Sequence, residues 1–130
     1  MFDPADFAAV ADHLCSSATA GACPAEAAYR AASGRYYYAV LLAARNYLEA
    51  SGPMPVSHEQ THQTVIRALR ESNDPIAARL TSEMMSLRNQ RNLADYGDEI
   101  SDPQTHARRM GEGCRRALKL VDTLSHRIRR

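Results

Sequence analysis

The sequence predicts an all-α protein, an up-and-down four-helix bundle with one additional short helix. Three observations carry that prediction. Apolar residues recur at three- and four-residue steps in five separate stretches, which is the period of one helix face. Each stretch is bounded by a proline, a glycine or a short polar cap. No stretch keeps the strict alternation of a half-buried strand. Composition agrees: the chain is 45% apolar with no Trp and only 2 Phe, and alanine is abundant, which suits closely approaching helices better than a sheet.

The elements follow in order. "DPADFAAVADHL" has Asp3 as cap and Pro4 at the first helical position, with Phe7, Val10, Ala11 and Leu14 on one face. "SSATAGACP" should end it. Pro24 then opens a long helix through about Ala50, where Tyr29, Tyr36, Val40, Ala43 and Tyr47 recur at helical steps, and Gly52, Pro53 and Pro55 close it. Ser57 and Gln60 form a capping box for a third helix whose Val65, Ile66 and Leu69 face inward. "SNDP" stops that helix, and Asp74 with Pro75 starts a fourth. Its stripe runs Ile76, Leu80, Met84, Leu87, Arg91 and Ala94, and Gly97 is the expected left-handed stop. Asp102 and Pro103 open the fifth, which carries Met110, Cys114, Ala117, Val121, Leu124 and Ile128 at the alternating steps of a bundle seam. Gly111 and Gly113 within it predict a close backbone approach or a kink. A length of 130 residues suits one domain with a sizeable core, expected over residues 1–130.

Charge and cysteine content narrow the function classes. A net charge of +1 argues against bulk attraction to nucleic acid, although Arg108, Arg109, Arg115, Arg116, Lys119, Arg127, Arg129 and Arg130 crowd the last quarter, where a solvated helix face is the default reading. Cys15, Cys23 and Cys114 have no paired spacing, so free thiols in a reducing, cytoplasmic setting are expected. Cys114 falls on an apolar stripe and reads as a core residue. No apolar run approaches the roughly 20 residues of a membrane span, so a protein without membrane contact is expected. A phosphate-cradling glycine loop, a nucleophile elbow and paired cysteine metal ligands are all missing from the sequence, and no cofactor is expected.

"LRNQRNLADYGDEI" is the polar exception in this apolar pattern. Arg91 sits where the fourth stripe calls for another core residue, so its guanidinium should face the seam between helices and need an anionic partner. Asp95, four residues on, is the nearest candidate, and Arg88 lies close enough to share it. Two readings follow: a salt-bridged lock between helices, or a site for phosphate.

Family likeness sharpens the second reading. "SGRYYYAVLLAARNYLEASG" resembles the second-helix signature of the HEPN superfamily, in which an arginine, here Arg35, precedes paired tyrosines. "SHEQTHQTVIRAL" and "LRNQRNLADYGD" are similar to later segments of the same family, in the same order, so the likeness spans about residues 28–124. It is closest to the small stand-alone members often encoded beside a minimal nucleotidyltransferase as toxin and antitoxin. The resemblance implies a homodimer with a composite cleft, an RNA ligand and metal-independent ribonuclease chemistry, in which an arginine clamps phosphate and a histidine four to six residues later moves a proton. Carried over, Arg91 takes the arginine position and Asn92 the polar residue after it. Where the histidine belongs this chain has Tyr96, and a phenol of ordinary pKa about 10 is a poor base at neutral pH. The expected site is therefore Arg91, Asp95 and Tyr96, with Arg35, Arg88, Asn92 and Tyr37 adding charge and a stacking face. The expected function is a toxin-type RNA-binding protein whose catalysis lacks its usual histidine. The alternative is a non-catalytic helical interaction protein locked by its Arg-Asp-Tyr turn.

Two further patterns complete the reading. "HEQTH", from His58 to His62, matches a zinc-protease pattern, but no preceding strand supplies a substrate edge and Ala68 stands where a third histidine would extend it, so no metal is expected. Tyr36, Tyr37 and Tyr38 cover most of a helix circumference, so one or two must pack inward with hydroxyls hydrogen-bonded near Arg35 or Asp95. An Arg35, Arg91, Asp95 and Tyr96 cluster is expected from their proximity in the family pattern.

Overall fold

A computed structural model describes residues 2–51, 61–97 and 99–128. Five helices account for the regular structure among these: α1 (Ala5–Thr19), α2 (Ala25–Ser51), α3 (Thr61–Glu71), α4 (Pro75–Tyr96) and α5 (Pro103–Ile128). The all-α class is as the sequence predicts, and the four long helices form the bundle.

Side-chain bonds fix the directions. Thr19 and Tyr29 share a hydroxyl contact of 2.9 Å near the first turn, and Tyr36 donates to Asp12 farther along, so α1 and α2 are antiparallel. Arg30 meets the end of α4 while Tyr37 lies under Arg91 one turn earlier, which makes α2 and α4 antiparallel. Glu83 pairs with Arg116 and Asp74 with Arg127, so α4 and α5 are antiparallel too. The order α1, α2, α4, α5 is thus up, down, up, down. α3 packs on α2 and α4 only, as the extra short helix.

α2 touches each of the other four helices and its small residues permit this. Ala32, Ala39 and Ala44 are fully buried, and Tyr36, Tyr37 and Val40 fill the space between. Leu69, Leu80, Met84, Cys114 and Leu124 join them in a core drawn from every helix. Burying a leucine or methionine side chain contributes about 1.5–3 kcal/mol, so this cluster dominates stability. Cys114 behaves as a core residue, and burial pushes its thiol up to about 12.

Several local expectations need adjustment. α1 runs five residues past Leu14, because Ala18 gains a buried place against Ala28, Tyr29 and Ala107, and Gly21 at φ 74 makes the stop. Val10 is 48% exposed, since the α1 stripe narrows to Phe7, Ala11 and Leu14. Gly97 is not left-handed: its φ is −73, and a Cβ there would lie 2.6 Å from the Leu93 carbonyl oxygen. Glycine is required for closeness rather than for handedness. In α5, a Cβ on Gly111 would lie 3.1 Å from the Tyr36 ring, so the glycine serves a close approach of α2 to an unbroken helix. The capping box at Ser57 and Gln60 lies outside the described residues.

Candidate functional site

Arg91 is the centre of the polar turn. α4 brings it to the seam with α2 because Leu80, Met84, Leu87 and Ala94 on the same face are buried there. Its side chain keeps 21% exposure, at the mouth of the seam rather than inside it. Nε donates to Asp95 Oδ2 at 2.9 Å, the pairing expected from the i, i+4 step. The guanidinium carbon lies 5.4 Å from the Tyr37 ring centroid and 5.3 Å from that of Tyr38. Two aromatic faces therefore hold the cation in place. Among the described residues its terminal nitrogens have no hydrogen-bonding partner, which leaves a fork of uncommitted donors at the seam's mouth.

The tyrosine triplet divides its work. Tyr36 and Tyr37 are buried, Tyr38 half-buried. Their hydroxyls do not go to Arg35 or Asp95: Tyr36 donates to Asp12, and Tyr37 shares a 2.6 Å hydrogen bond with His62 Nδ1. Burial pushes the Tyr37 phenol up to about 12, against the downward pull of Arg88 and Arg91. His62 moves the other way, down to about 4, because burial and then the Arg88 charge disfavour a second cation there. At neutral pH both partners are uncharged, and the contact is a neutral hydrogen bond beside two cations.

Arg88, one turn before Arg91, is half-buried and makes no ion pair among the described residues. Arg88 and Asp95 do not share a bond: Asp95 is turned toward α2, where a Cβ on Gly34 would stand 3.9 Å from its Oδ1.

The remaining expected residues are placed apart from this centre. Arg35 lies over the Phe7 ring at 5.6 Å, on the α1 side. A row results in which Arg35 covers Phe7, Phe7 stands beside Tyr38 at 6.5 Å, and Tyr38 underlies Arg91. The compact Arg35, Arg91, Asp95 and Tyr96 cluster is therefore not formed within the chain. Tyr96 is 77% exposed. Five residues turn an α-helix through 500°, so Tyr96 sits roughly 140° around the axis from Arg91. Asn92 is exposed as well, beside Leu93 on the outward face of α4.

Two contributors were missed in the sequence. His62 reads there as a helix-start residue, yet α3 delivers it to Tyr37 and Arg88. Arg30 carries the end of the turn: its Nη1 donates to Ala94 O at 3.0 Å and Gly97 O at 2.7 Å, and Glu26 pairs with it at 3.4 Å. Arg30 stands one heptad before Tyr37, so its alignment with the α4-facing side of α2 was available as a signal. His58 and Glu59 of the zinc-protease pattern lie outside the described residues, and no group of three or more His, Cys, Asp or Glu that could hold a metal exists among the described ones. No helix among the described residues is long and apolar enough to cross a membrane.

No protein-family model matches this chain, and no curated protein or solved structure matches it either.

Proposed function

We propose that the protein is a HEPN-like RNA-binding protein of toxin type, acting in a toxin–antitoxin or defence system, and that it binds RNA without efficiently cutting it. The observation that supports this reading most is the Arg91 guanidinium: held by Tyr37, Tyr38 and Asp95 and 21% exposed, it keeps its terminal donors without a partner among the described residues. A planar fork held in this way suits two oxygens of a phosphodiester. Arg88 adds a second cation within one turn, free of any acidic partner among the described residues. Half-exposed Tyr38 offers a face for a base.

The weakness of the cutting step follows from the same atoms. RNA cleavage without a metal needs a base for the 2′-hydroxyl proton and an acid for the departing 5′-oxygen. Tyr96 is turned outward and away from Arg91. His62, the one histidine beside these arginines among the described residues, is held near 4, well below working pH, and is a feeble base there. A homodimer, with a cleft built from two copies, and a minimal nucleotidyltransferase as antitoxin are the partners this reading carries from the family resemblance.

The structural lock remains a second reading, favoured by the 2.9 Å Arg91–Asp95 pair and by Arg30 on the α4 carbonyls. The two separate on one variant. Under the RNA-binding reading, Arg91→Ala weakens retention of a short single-stranded RNA at least tenfold while stability falls by no more than about 1–2 kcal/mol. Unchanged retention with a collapsed melting point would leave only the lock. A cleavage assay in EDTA should yield no product above background; metal-independent turnover would remove the claim that cutting is weak.

A further inference from the structure

Of the 16 basic residues in this chain, 15 are arginine and one, Lys119, is lysine. The difference is chemical. A guanidinium keeps its charge at every working pH, whereas an ammonium that sheds a proton becomes an amine able to attack a carbonyl carbon. Amine-directed chemistry therefore has a single side-chain target in the whole sequence, and α5 presents it exposed.

Lys119 lines a groove of about 380 Å³ between α4 and α5, together with Arg79, Ser82, Glu83, Arg116 and Leu120. The pairs Glu83–Arg116 and Asp74–Arg127 set the antiparallel register, which puts Arg79 across the seam from the Lys119–Leu120 turn. Glu83 is the single carboxylate on this lining, and Arg116 takes both of its oxygens, at 2.9 and 3.5 Å. Arg79 and Lys119 are left with no ion pair among the described residues. On its other side Lys119 borders a groove that holds Asp3 and Asp122, yet it pairs with neither, and Asp122 lies 3.4 Å from His126. Two uncommitted cations thus face one groove: a planar fork suited to an anion, and an amine that can react.

We propose that Lys119 is a modification site for small acyl phosphates, with Arg79 holding the phosphate while the Lys119 amine takes the acyl group. In the step, the unprotonated Nζ attacks the acyl carbon. A carbon–nitrogen bond forms and the carbon–oxygen bond to phosphate breaks. Phosphate leaves with the electron pair and with the proton given up by the amine. Arg79 favours this departure because negative charge grows on the leaving phosphate as the bond breaks. Half-buried Leu120 gives the acyl chain an apolar neighbour. The amide that results is neutral, so one acylation takes the chain from a net charge of +1 to zero. The reaction is independent of the turn at Arg91 and of RNA.

The test incubates the full chain with acetyl phosphate at about pH 8, where a small fraction of lysine is unprotonated. Nα-acetyllysine amide in the same tube serves as the reference amine, and peptide mass spectrometry follows both. Lys119 should be acetylated roughly fivefold faster than the reference, the scale of a screened surface ion pair. Arg79→Gln, a change at an exposed position of α4, should bring Lys119 down to the reference rate with helicity by circular dichroism unaltered. The neutral thioester S-acetyl-N-acetylcysteamine offers the same acyl group without the anion, and it should acetylate Lys119 equally in both proteins. Acetylation of Lys119 no faster than the reference, or a rate indifferent to Arg79→Gln, would overturn the proposal. A variant that slows both reagents alike would also overturn it, since Arg79 would then act on the amine and not on phosphate.

Discussion

At the residue scale, position and partner decide what each charge does. Arg91 appears in the sequence as an intruder on an apolar stripe, and a wholly buried arginine there would leave a stranded Asp95 on substitution. The structure puts both at the edge of solvent, with Asp95 31% exposed. A stranded carboxylate in that place rehydrates, so Arg91→Ala should lower stability by only about 1–2 kcal/mol, the sum of a screened ion pair and two cation–π contacts. Chemical denaturation at pH 7 measures it directly; a loss far beyond this range would mark the turn as a buried lock. His62 gives a pH test. Its value in the folded state, near 4, lies below the ordinary 6.5, so the folded protein binds fewer protons than the unfolded chain between these limits. Stability from this group is complete above pH 6.5 and is lost as pH falls toward 4. For a half-exposed imidazole the loss is about 1–2 kcal/mol after screening. His62→Gln should therefore flatten the difference between urea midpoints at pH 7 and pH 4.5, beyond what the carboxylates common to both proteins impose. Arg91 and Asp95 were legible because a helical step of four needs nothing beyond the sequence. His62 was not, since its role depends on where α3 lies relative to α2, a relation that no single-helix pattern contains.

Among the elements, starts and stops were read better than the reasons for them. Asp74 caps α4 as expected, accepting from the Ile76 amide at 2.8 Å, with Pro75 at the first helical position. At the other end, glycine was anticipated at residue 97 for the wrong reason: crowding against Leu93, not a left-handed turn. The sequence also hid who ties that end down. Arg30 crosses from α2 to accept responsibility for two carbonyls, and it is largely buried at 18% side-chain exposure. Charged hydrogen bonds of this kind contribute about 1.5–3 kcal/mol, so Arg30→Ala should cost about 2 kcal/mol and speed amide exchange through the last turn of α4 more than elsewhere. Uniform exchange along the helix would contradict a local anchor. Gly111→Ala tests the seam between α2 and α5. A methyl group 3.1 Å from the Tyr36 ring forces that ring or the helix to shift, and overpacking of this sort costs about 1–3 kcal/mol. α1 shows the limit of pattern reading: alanine-rich continuation past Leu14 carries little periodic signal, and only the packing of Ala18 decides it.

For the molecule as a whole, fold class was plain from the sequence because five apolar stripes leave few alternatives to a bundle. Which helices make the four and which stands aside required the structure, since α3 and α1 are both short in the sequence reading. The proposed dimer belongs to this scale, and light scattering of the purified protein should give twice the mass of one chain; a monomer at micromolar concentration would remove the composite cleft. The chain has 6 tyrosines and no tryptophan, and two of those rings lie under a single guanidinium. Ultraviolet emission of the unmodified protein thus comes from so few sources that an anion drawing Arg91 off its aromatic bed should register as a change in native fluorescence, giving the molecule a built-in optical gauge of its own occupancy.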